Sequence, residues 1–275
     1  MDVSETEKQA RDAINRYTST VAYPVIWTDG NKIITLGTAV LFRYRDRHFL
    51  LTAKHLFQHH AGERFPYDGL VGPTTRAQGV PRGLGKIEVL EPKGDDADFL
   101  DVIAIELLDP EMVGLIKHTW SFITIDDFAP PNPEAVYFIA GFPKEKERKS
   151  GEIIGAALMT LATKQAESVP DGLDRHDPKF DLFCKYDQTG ADFYNNNETV
   201  VSPWVGGVSG GPAFRVADLA PPVWTPQSGT RFVGLQSSAS EGKRWLRIKN
   251  CYAIVAYFKE ACPEIAEAIL AQLAR

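Results

Sequence analysis

From Val21 to Leu51 the chain reads V-A-Y-P-V-I-W, then I-I-T-L-G-T-A-V-L-F-R-Y, then R-H-F-L-L-T-A, broken by D-G-N and Y-R-D-R. These runs are rich in β-branched and aromatic residues, which fit a pleated, half-buried surface, so they predict consecutive antiparallel strands. Residues 59 to 86 keep no steady period and read as a long surface excursion. K-I-E-V-L and D-V-I-A-I-E-L-L then return to strand character. The segment D-D-F-A-P-P-N-P, Asp126 to Pro133, breaks helix and sheet alike and marks a crossing between two domains. Beyond it V-Y-F-I-A-G, I-I-G-A-A-L-M-T-L, F-D-L-F-C-K-Y, G-P-A-F-R-V, R-F-V-G-L-Q-S and W-L-R-I-K predict a second set of strands, separated by polar loops such as G-A-D-F-Y-N-N-N-E-T. The ends change to a helical period. Ser4 and Glu7 make a capping-box pattern ahead of helix formers up to about Tyr17, and after Pro263 the residues Ile265, Ile269, Leu270 and Leu273 recur at helical spacing. No repeat of fixed period runs through the chain.

With 275 residues, 44% of them hydrophobic and 24% charged, the chain can bury a sizeable core without disulfide staples. Its 22 glycines and 18 prolines imply many tight turns between short elements, which again favours β structure. A net charge of −6 argues against nucleic acid as a partner, because non-specific affinity for it comes from cations neutralising phosphates. Three cysteines, Cys184, Cys251 and Cys262, are too few and odd in number for a secreted disulfide framework, and fit buried thiols in a reducing compartment. The first residues, M-D-V-S-E-T-E-K, are acidic where an export signal needs bases, and no apolar run reaches bilayer length. A cytoplasmic protein with no membrane anchor is the expectation.

The most informative stretch is G-G-V-S-G-G-P, Gly206 to Pro212. A serine set among glycines can sit on a tight turn whose neighbouring N–H groups converge, a geometry suited to a developing oxyanion. The same letters match the nucleophile turn of α/β-hydrolases, but that fold needs its histidine after the serine, and the last histidine here is His176. What remains is a constellation with histidine first. L-L-T-A-K-H ends at His55, and an acid between His55 and Ser209 would complete it. His55 and His59 stand four apart with His60 beside them, yet no nearby cysteine or H-E-x-x-H context completes a metal site, so no metal is expected. In the run Lys144 to Lys149, Glu145 and Glu147 alternate with the bases, which reads as a solvated loop.

On these residues the sequence resembles the trypsin-like (chymotrypsin-fold) serine peptidases, especially compact bacterial ones without disulfides, over about residues 20 to 260. Thr52-Ala53-Lys54-His55 matches the T-A-x-H motif of the general base, and Gly207-Val208-Ser209-Gly210-Gly211-Pro212 matches the G-x-S-G-G-P motif of the nucleophile. Asp101-Val102-Ile103-Ala104 resembles the motif of the acid with its small residue one place late, and Asp98 competes for that role. Gly141-Phe142-Pro143 is similar to the G-[YF]-P turn of bacterial members, and Val233-Gly234-Leu235-Gln236-Ser237 to the strand flanking the substrate.

The resemblance implies an all-β fold of two packed antiparallel six-stranded barrels with short terminal helices. The expected divisions are a helical extension over 1–19, a first barrel over 20–128 carrying His55 and Asp101, a second over 129–260 carrying Ser209, and a C-terminal helix over 261–275. It implies an endopeptidase with a His55-Asp101-Ser209 triad, an oxyanion hole of the Gly207 and Ser209 N–H groups, and no cofactor. The other reading is a silent member of the family that binds peptide segments as a regulatory or defence module. A protein or peptide is the expected partner in either case, and a dedicated regulatory partner fits a protease that must be restrained. Six residues before the nucleophile, where the family places the base of its specificity pocket, stand Pro203 and then Trp204; Gln236, Ser237, Ser238 and Ala239 correspond to its wall. None is charged, so cleavage after uncharged residues is expected. Val208 occupies the position where secreted members carry an acid that pairs with a newly cut N-terminus, so the turn is expected to order without that cut.

Overall fold

The apolar runs of the first half join into one antiparallel sheet. The computed structural model describes residues 5–58, 65–75, 80–92, 97–150, 153–173, 175–192, 198–217, 224–240, 242 and 244–275. Ser4, His59 and His60 lie outside the described residues. The first sheet contains β1 (Ala22–Thr28), β2 (Ile33–Tyr44), β3 (Arg47–Thr52), β4 (Leu70–Gly72), β5 (Arg82–Gly83), β6 (Ile87–Leu90) and β7 (Ile103–Leu107), in the order β5-β4-β1-β2-β3-β7-β6. Among the described residues it has seven strands rather than the expected six-stranded set. The short β4 and β5 lie inside the stretch that shows no period, and β4 pairs with the free edge of β1 through Ile26 and Trp27.

The second half supplies β8 (Val136–Gly141), β9 (Glu147–Ser150), β10 (Ile153–Ala156), β11 (Met159–Lys164), β12 (Asp181–Lys185), β13 (Thr189–Asp192), β14 (Glu198–Val201), β15 (Pro212–Val216), β16 (Thr230–Ser240) and β17 (Trp245–Asn250). Six of these form a sheet in the order β11-β8-β15-β16-β17-β12. Its edges meet where Gln165 bridges Cys184 and Ala166 N–H donates to Phe183 O at 2.8 Å, so this sheet closes on itself. The run I-I-G-A-A-L-M-T-L is divided, with β10 pairing back on β9 and β11 pairing with β8. β13 and β14 pair antiparallel, from Thr189 opposite Val201 to Asp192 opposite Glu198. Two curled antiparallel sheets packed together make a double-barrel architecture.

Among the described residues five α-helices accompany the sheets: α1 (Glu5–Val21), α2 (Ala97–Leu100), α3 (Pro110–Thr119), α4 (Cys251–Ala261) and α5 (Pro263–Leu273). In α1 the buried Ile14, Thr18 and Val21 share one face, and Tyr17 sets its ring edge-on to Phe214 of the second sheet. α3 and α4 interrupt regions with no predicted helix. Each has a sequence-encoded cap: Asp109 accepts from Glu111 N and Met112 N, and Asn250 accepts from Tyr252 N and Ala253 N. Among the described residues no helix is long and apolar enough to cross a membrane.

The two sheets and the C-terminal helices share one core, in which Phe42, Phe49, Phe128, Phe214, Phe232 and Phe258 are essentially inaccessible. Phe258 of α4 meets Phe42 and Phe49 of the first sheet at ring-centre distances of 6.2 and 6.3 Å. Phe258→Ala is expected to lower stability by about 3–5 kcal/mol, because rigid neighbours on two elements limit collapse into the void. Denaturant unfolding checks this, and a loss under about 1 kcal/mol would show that the helix pair contributes little to the shared core.

Candidate active site

His55 lies just past β3, in a single 3₁₀ turn over Lys54–Phe57 that buries Leu56 and Phe57. Asp101 stands two residues before β7 with φ of 49°, a left-handed conformation that aspartate tolerates better than most residues. This bend brings its carboxylate under the histidine turn. Oδ1 accepts from the backbone N–H of His55 at 2.9 Å, and Oδ2 lies 2.9 Å from His55 Nδ1. Lys54 N–H donates to Asp101 O at 3.3 Å. Ser237 of β16 adds its hydroxyl, which donates to Asp101 Oδ2 at 2.6 Å. Asp98 takes a different partner: its carboxylate is exposed and meets Lys54 Nζ at 2.7 Å.

Burial alone would pull the His55 pKa down, but the hydrogen bond to Asp101 and its negative charge together raise it above the ordinary histidine value. Burial likewise pushes Asp101 up, and the bonds from His55 and Ser237 outweigh it, so the carboxyl titrates below its ordinary range. The signs set a stability window. The raised His55 contributes stability that is full below the ordinary histidine pKa and lost as pH rises through the folded value; the lowered Asp101 contributes above the ordinary carboxylate pKa and loses it as pH falls through its folded value. A base must be neutral to accept a proton, so any reaction that uses His55 as a base is expected to slow on acidification with a midpoint above the ordinary histidine pKa. A pH–rate profile checks this, and a midpoint below that value would contradict the Asp101 pairing.

Ser209 sits in the turn before β15. Two glycines shape this turn. Gly207 has φ of 98° at the third position of a turn closed by Val208 N–H donating to Val205 O at 3.0 Å. Gly210 has φ of 82°, and a Cβ there would lie 2.0 Å from both Thr38 O and Thr52 Oγ1. Gly210→Ala is expected to cost about 4 kcal/mol or more, since a strained backbone and a collision with backbone oxygen add. Thermal unfolding measures it, and near-native stability would contradict this packing.

The Gly206–Gly207 peptide is fixed from behind. Lys144 N–H donates to Gly206 O at 2.7 Å, so the N–H on the opposite side of that peptide, Gly207's, points away from Lys144. Thr38 of β2 is the second anchor: its Oγ1 donates to Gly207 O and accepts from Phe142 N–H, both at 3.0 Å, and its N–H donates to Ser209 O at 2.8 Å. Among the described residues the N–H groups of Gly207 and Ser209 have no acceptor, whereas those of Val208, Gly210 and Gly211 do. Val208 is buried in the apolar core of the second sheet, so its side chain holds the turn by packing.

Ser209 Oγ donates to Ser237 O at 3.1 Å rather than to His55. The histidine and acid are therefore joined, and the serine is held beside them by a third group. Of the residues corresponding to a specificity pocket, Ser237 turns its hydroxyl to Asp101 and Gln236 is 1% exposed within the fold, so neither offers its side chain as an open wall. Ser238 and Ala239 are half-buried on β16, opposite Arg247 and Leu246. Pro203 O accepts from Tyr186 Oη, and Trp204 is 51% exposed with its ring over Gly206, where a Cβ would lie 2.2 Å from it. Glu198, on β14, is exposed. The sequence gives Thr38 no mark, and marks Lys144 only as the first base of a run that reads as a solvated loop, not as a support of the serine turn. Lys144 directly follows Gly141-Phe142-Pro143, but Thr38 is indistinguishable from any strand threonine.

No family profile matches the chain, and no curated protein matches it in sequence. Similar solved structures include viral and mycobacterial proteases. The tobacco vein mottling virus protease is 12% identical over 86% of this chain and 79% of its own, with a TM-score of 0.43. The active form of the Rv3671c protease of M. tuberculosis is 14% identical over 92% and 86%, with a TM-score of 0.43. A structure from work on aromatic interactions in the coupled folding and binding of the intrinsically disordered Sesbania mosaic virus VPg protein is 15% identical over 87% and 90%, with a TM-score of 0.45.

Proposed function

We propose that the protein is a serine endopeptidase working through an acyl-enzyme, with Ser209 as nucleophile, His55 as general base and acid, and Asp101 fixing the imidazole. The observation that carries this reading is the chain Ser237–Asp101–His55 set beside a serine whose turn leaves the N–H groups of Gly207 and Ser209 without acceptors among the described residues. Ser209 Oγ rotates off the Ser237 carbonyl and bonds to the substrate carbonyl carbon while its proton passes to His55 Nε2. The carbonyl oxygen takes the negative charge and meets the N–H groups of Gly207 and Ser209. Collapse breaks the C–N bond as His55 returns the proton to the leaving amine. Water then bonds to the acyl carbon as it gives a proton to the same imidazole, and the C–Oγ bond breaks as His55 returns that proton to Ser209 Oγ, releasing the acid.

The three cysteines are unpaired and buried, which suits work in a reducing compartment, and the cytoplasm is our reading of where it acts. The uncharged Pro203 and Trp204 support cleavage after medium-sized uncharged residues. A charge taken into such a site would go unpaired, so cuts after Arg, Lys, Asp or Glu should be weak. Digestion of a peptide library, with cut sites read by mass spectrometry, tests both activity and preference; a digest dominated by cuts after basic residues would contradict the preference. A second reading has a specific observation in its favour. The Ser209 hydroxyl is engaged by Ser237 O, and if it never leaves, the cleft binds peptide without cutting it. A folded protein that binds library peptides and releases them intact would establish that reading.

A further inference from the structure

Away from Ser209, a groove of about 590 Å³ opens where α1, β1, the end of α3 and the segment between β8 and β11 meet. Its apolar lining includes Pro24, Ile26, Trp120, Phe142 and Leu158. A hollow of about 240 Å³ continues it along α1, sharing Ser19 and Leu158. Lys146 and Arg148 line the larger part and Arg16 the extension. None of these three side chains has an ion-pair partner among the described residues, and Glu145 is the one acid in the lining. A positive excess here runs against the net charge of −6 of the whole chain. With cations in both parts and an apolar floor between them, a ligand with one polar end would satisfy only half of the site. An extended segment with carboxylates on both sides of a bulky apolar residue would satisfy all of it.

The groove also touches the turn that presents Gly207. Phe142 is part of its lining, and the Phe142 N–H is held by the Thr38 hydroxyl that donates to Gly207 O. Two residues on, Lys144 N–H holds Gly206 O. The Gly207 carbonyl is thus linked to the lining residue Phe142 through Thr38, and the Gly206 carbonyl is held by Lys144, which stands between the lining residues Phe142 and Glu145 in sequence.

We propose that this groove docks an acidic segment of a partner protein, with an apolar side chain against Trp120 and Phe142 and carboxylates on Arg16, Lys146 and Arg148, and that docking steadies the Gly206–Gly207 peptide. The docking stands independently, whereas its effect on the turn rests on the peptidase reading. The probe is a fluorescein-labelled, end-blocked nine-residue peptide with three acidic residues on each side of a Leu-Phe-Leu centre. On the Ser209→Ala protein, anisotropy should show saturable binding with a change in Trp120 fluorescence that Trp120→Phe removes. Charge reversal of Arg16, Lys146 and Arg148 to Glu, all exposed positions, should weaken binding by about tenfold or more, and the lysine-flanked counterpart should not bind. Equal binding by the charge-reversed protein, or by the lysine-flanked peptide, overturns the docking. On the unmodified protein, saturating peptide should speed fluorophosphonate labelling of Ser209 severalfold, and an unchanged rate overturns the coupling. Absence of any labelling, with binding intact, contradicts the peptidase reading and leaves the docking standing.

Discussion

Replacing Ser209 or His55 by alanine is expected to lower peptide hydrolysis by about 10⁶, with the fold intact. The magnitude follows from the interdependence of the two groups: a serine hydroxyl is a weak nucleophile at neutral pH, and an imidazole without the serine has no bond to make. Neither side chain fills a core. His55 keeps 42% of its side chain exposed, and Ser209 makes its contacts through backbone atoms and one hydroxyl bond. The double variant should lose little more than either single one, since the two act as a unit. Turnover of a peptide cut by the unmodified protein, measured with a matched circular dichroism spectrum, checks this. Comparable activity in Ser209→Ala would remove the serine from the reaction.

Asp101→Asn should lower turnover by about 10⁴ while Asp98→Asn stays near the unmodified rate. The difference lies in what each carboxylate holds. Asp101 accepts from the His55 backbone, lies against its Nδ1 and accepts from the Ser237 hydroxyl, so an amide there would turn an N–H toward one of these donors and select the wrong imidazole tautomer. Asp98 is a surface partner of Lys54, and exposed pairs of that kind contribute about 0–1 kcal/mol. Ser237→Ala should fall between them, because it removes one of the bonds keeping Asp101 ionised without disturbing the histidine directly. Steady-state rates of the three variants at one pH decide the order, and a crippled Asp98→Asn beside an active Asp101→Asn would reassign the acid.

The strands were legible wherever apolar runs were bounded by turn residues. The run from Ile33 to Tyr44 is a strand over its whole length, flanked by D-G-N and the Arg45-Asp46 turn. α4 was hidden because Cys251, Ala253, Ile254, Val255, Tyr257 and Phe258 are all buried and its outer face, Tyr252, Ala256, Lys259 and Glu260, carries charge only in the last turn, although Asn250 announces its start. β4 and β5 were hidden by brevity, since runs of three and two residues carry no alternation. At the site, the surroundings of His55 and Ser209 show in short motifs because tight backbone turns demand glycine and a fixed local order. The bond from Ser237 to Asp101 spans 136 residues and leaves no local mark. Nor does the engagement of Ser209 by Ser237 O, which depends on how β16 passes the turn once both sheets are packed.

Exposure of the purified protein to a fluorophosphonate, followed by intact mass and peptide mapping, reports directly on whether Ser209 reacts as an activated nucleophile. One adduct per chain is expected, on Ser209, with formation slowing as pH falls through the raised His55 pKa and absent in His55→Ala. A folded protein that gains no adduct on Ser209, or gains it equally well without His55, would contradict a peptidase built on this triad.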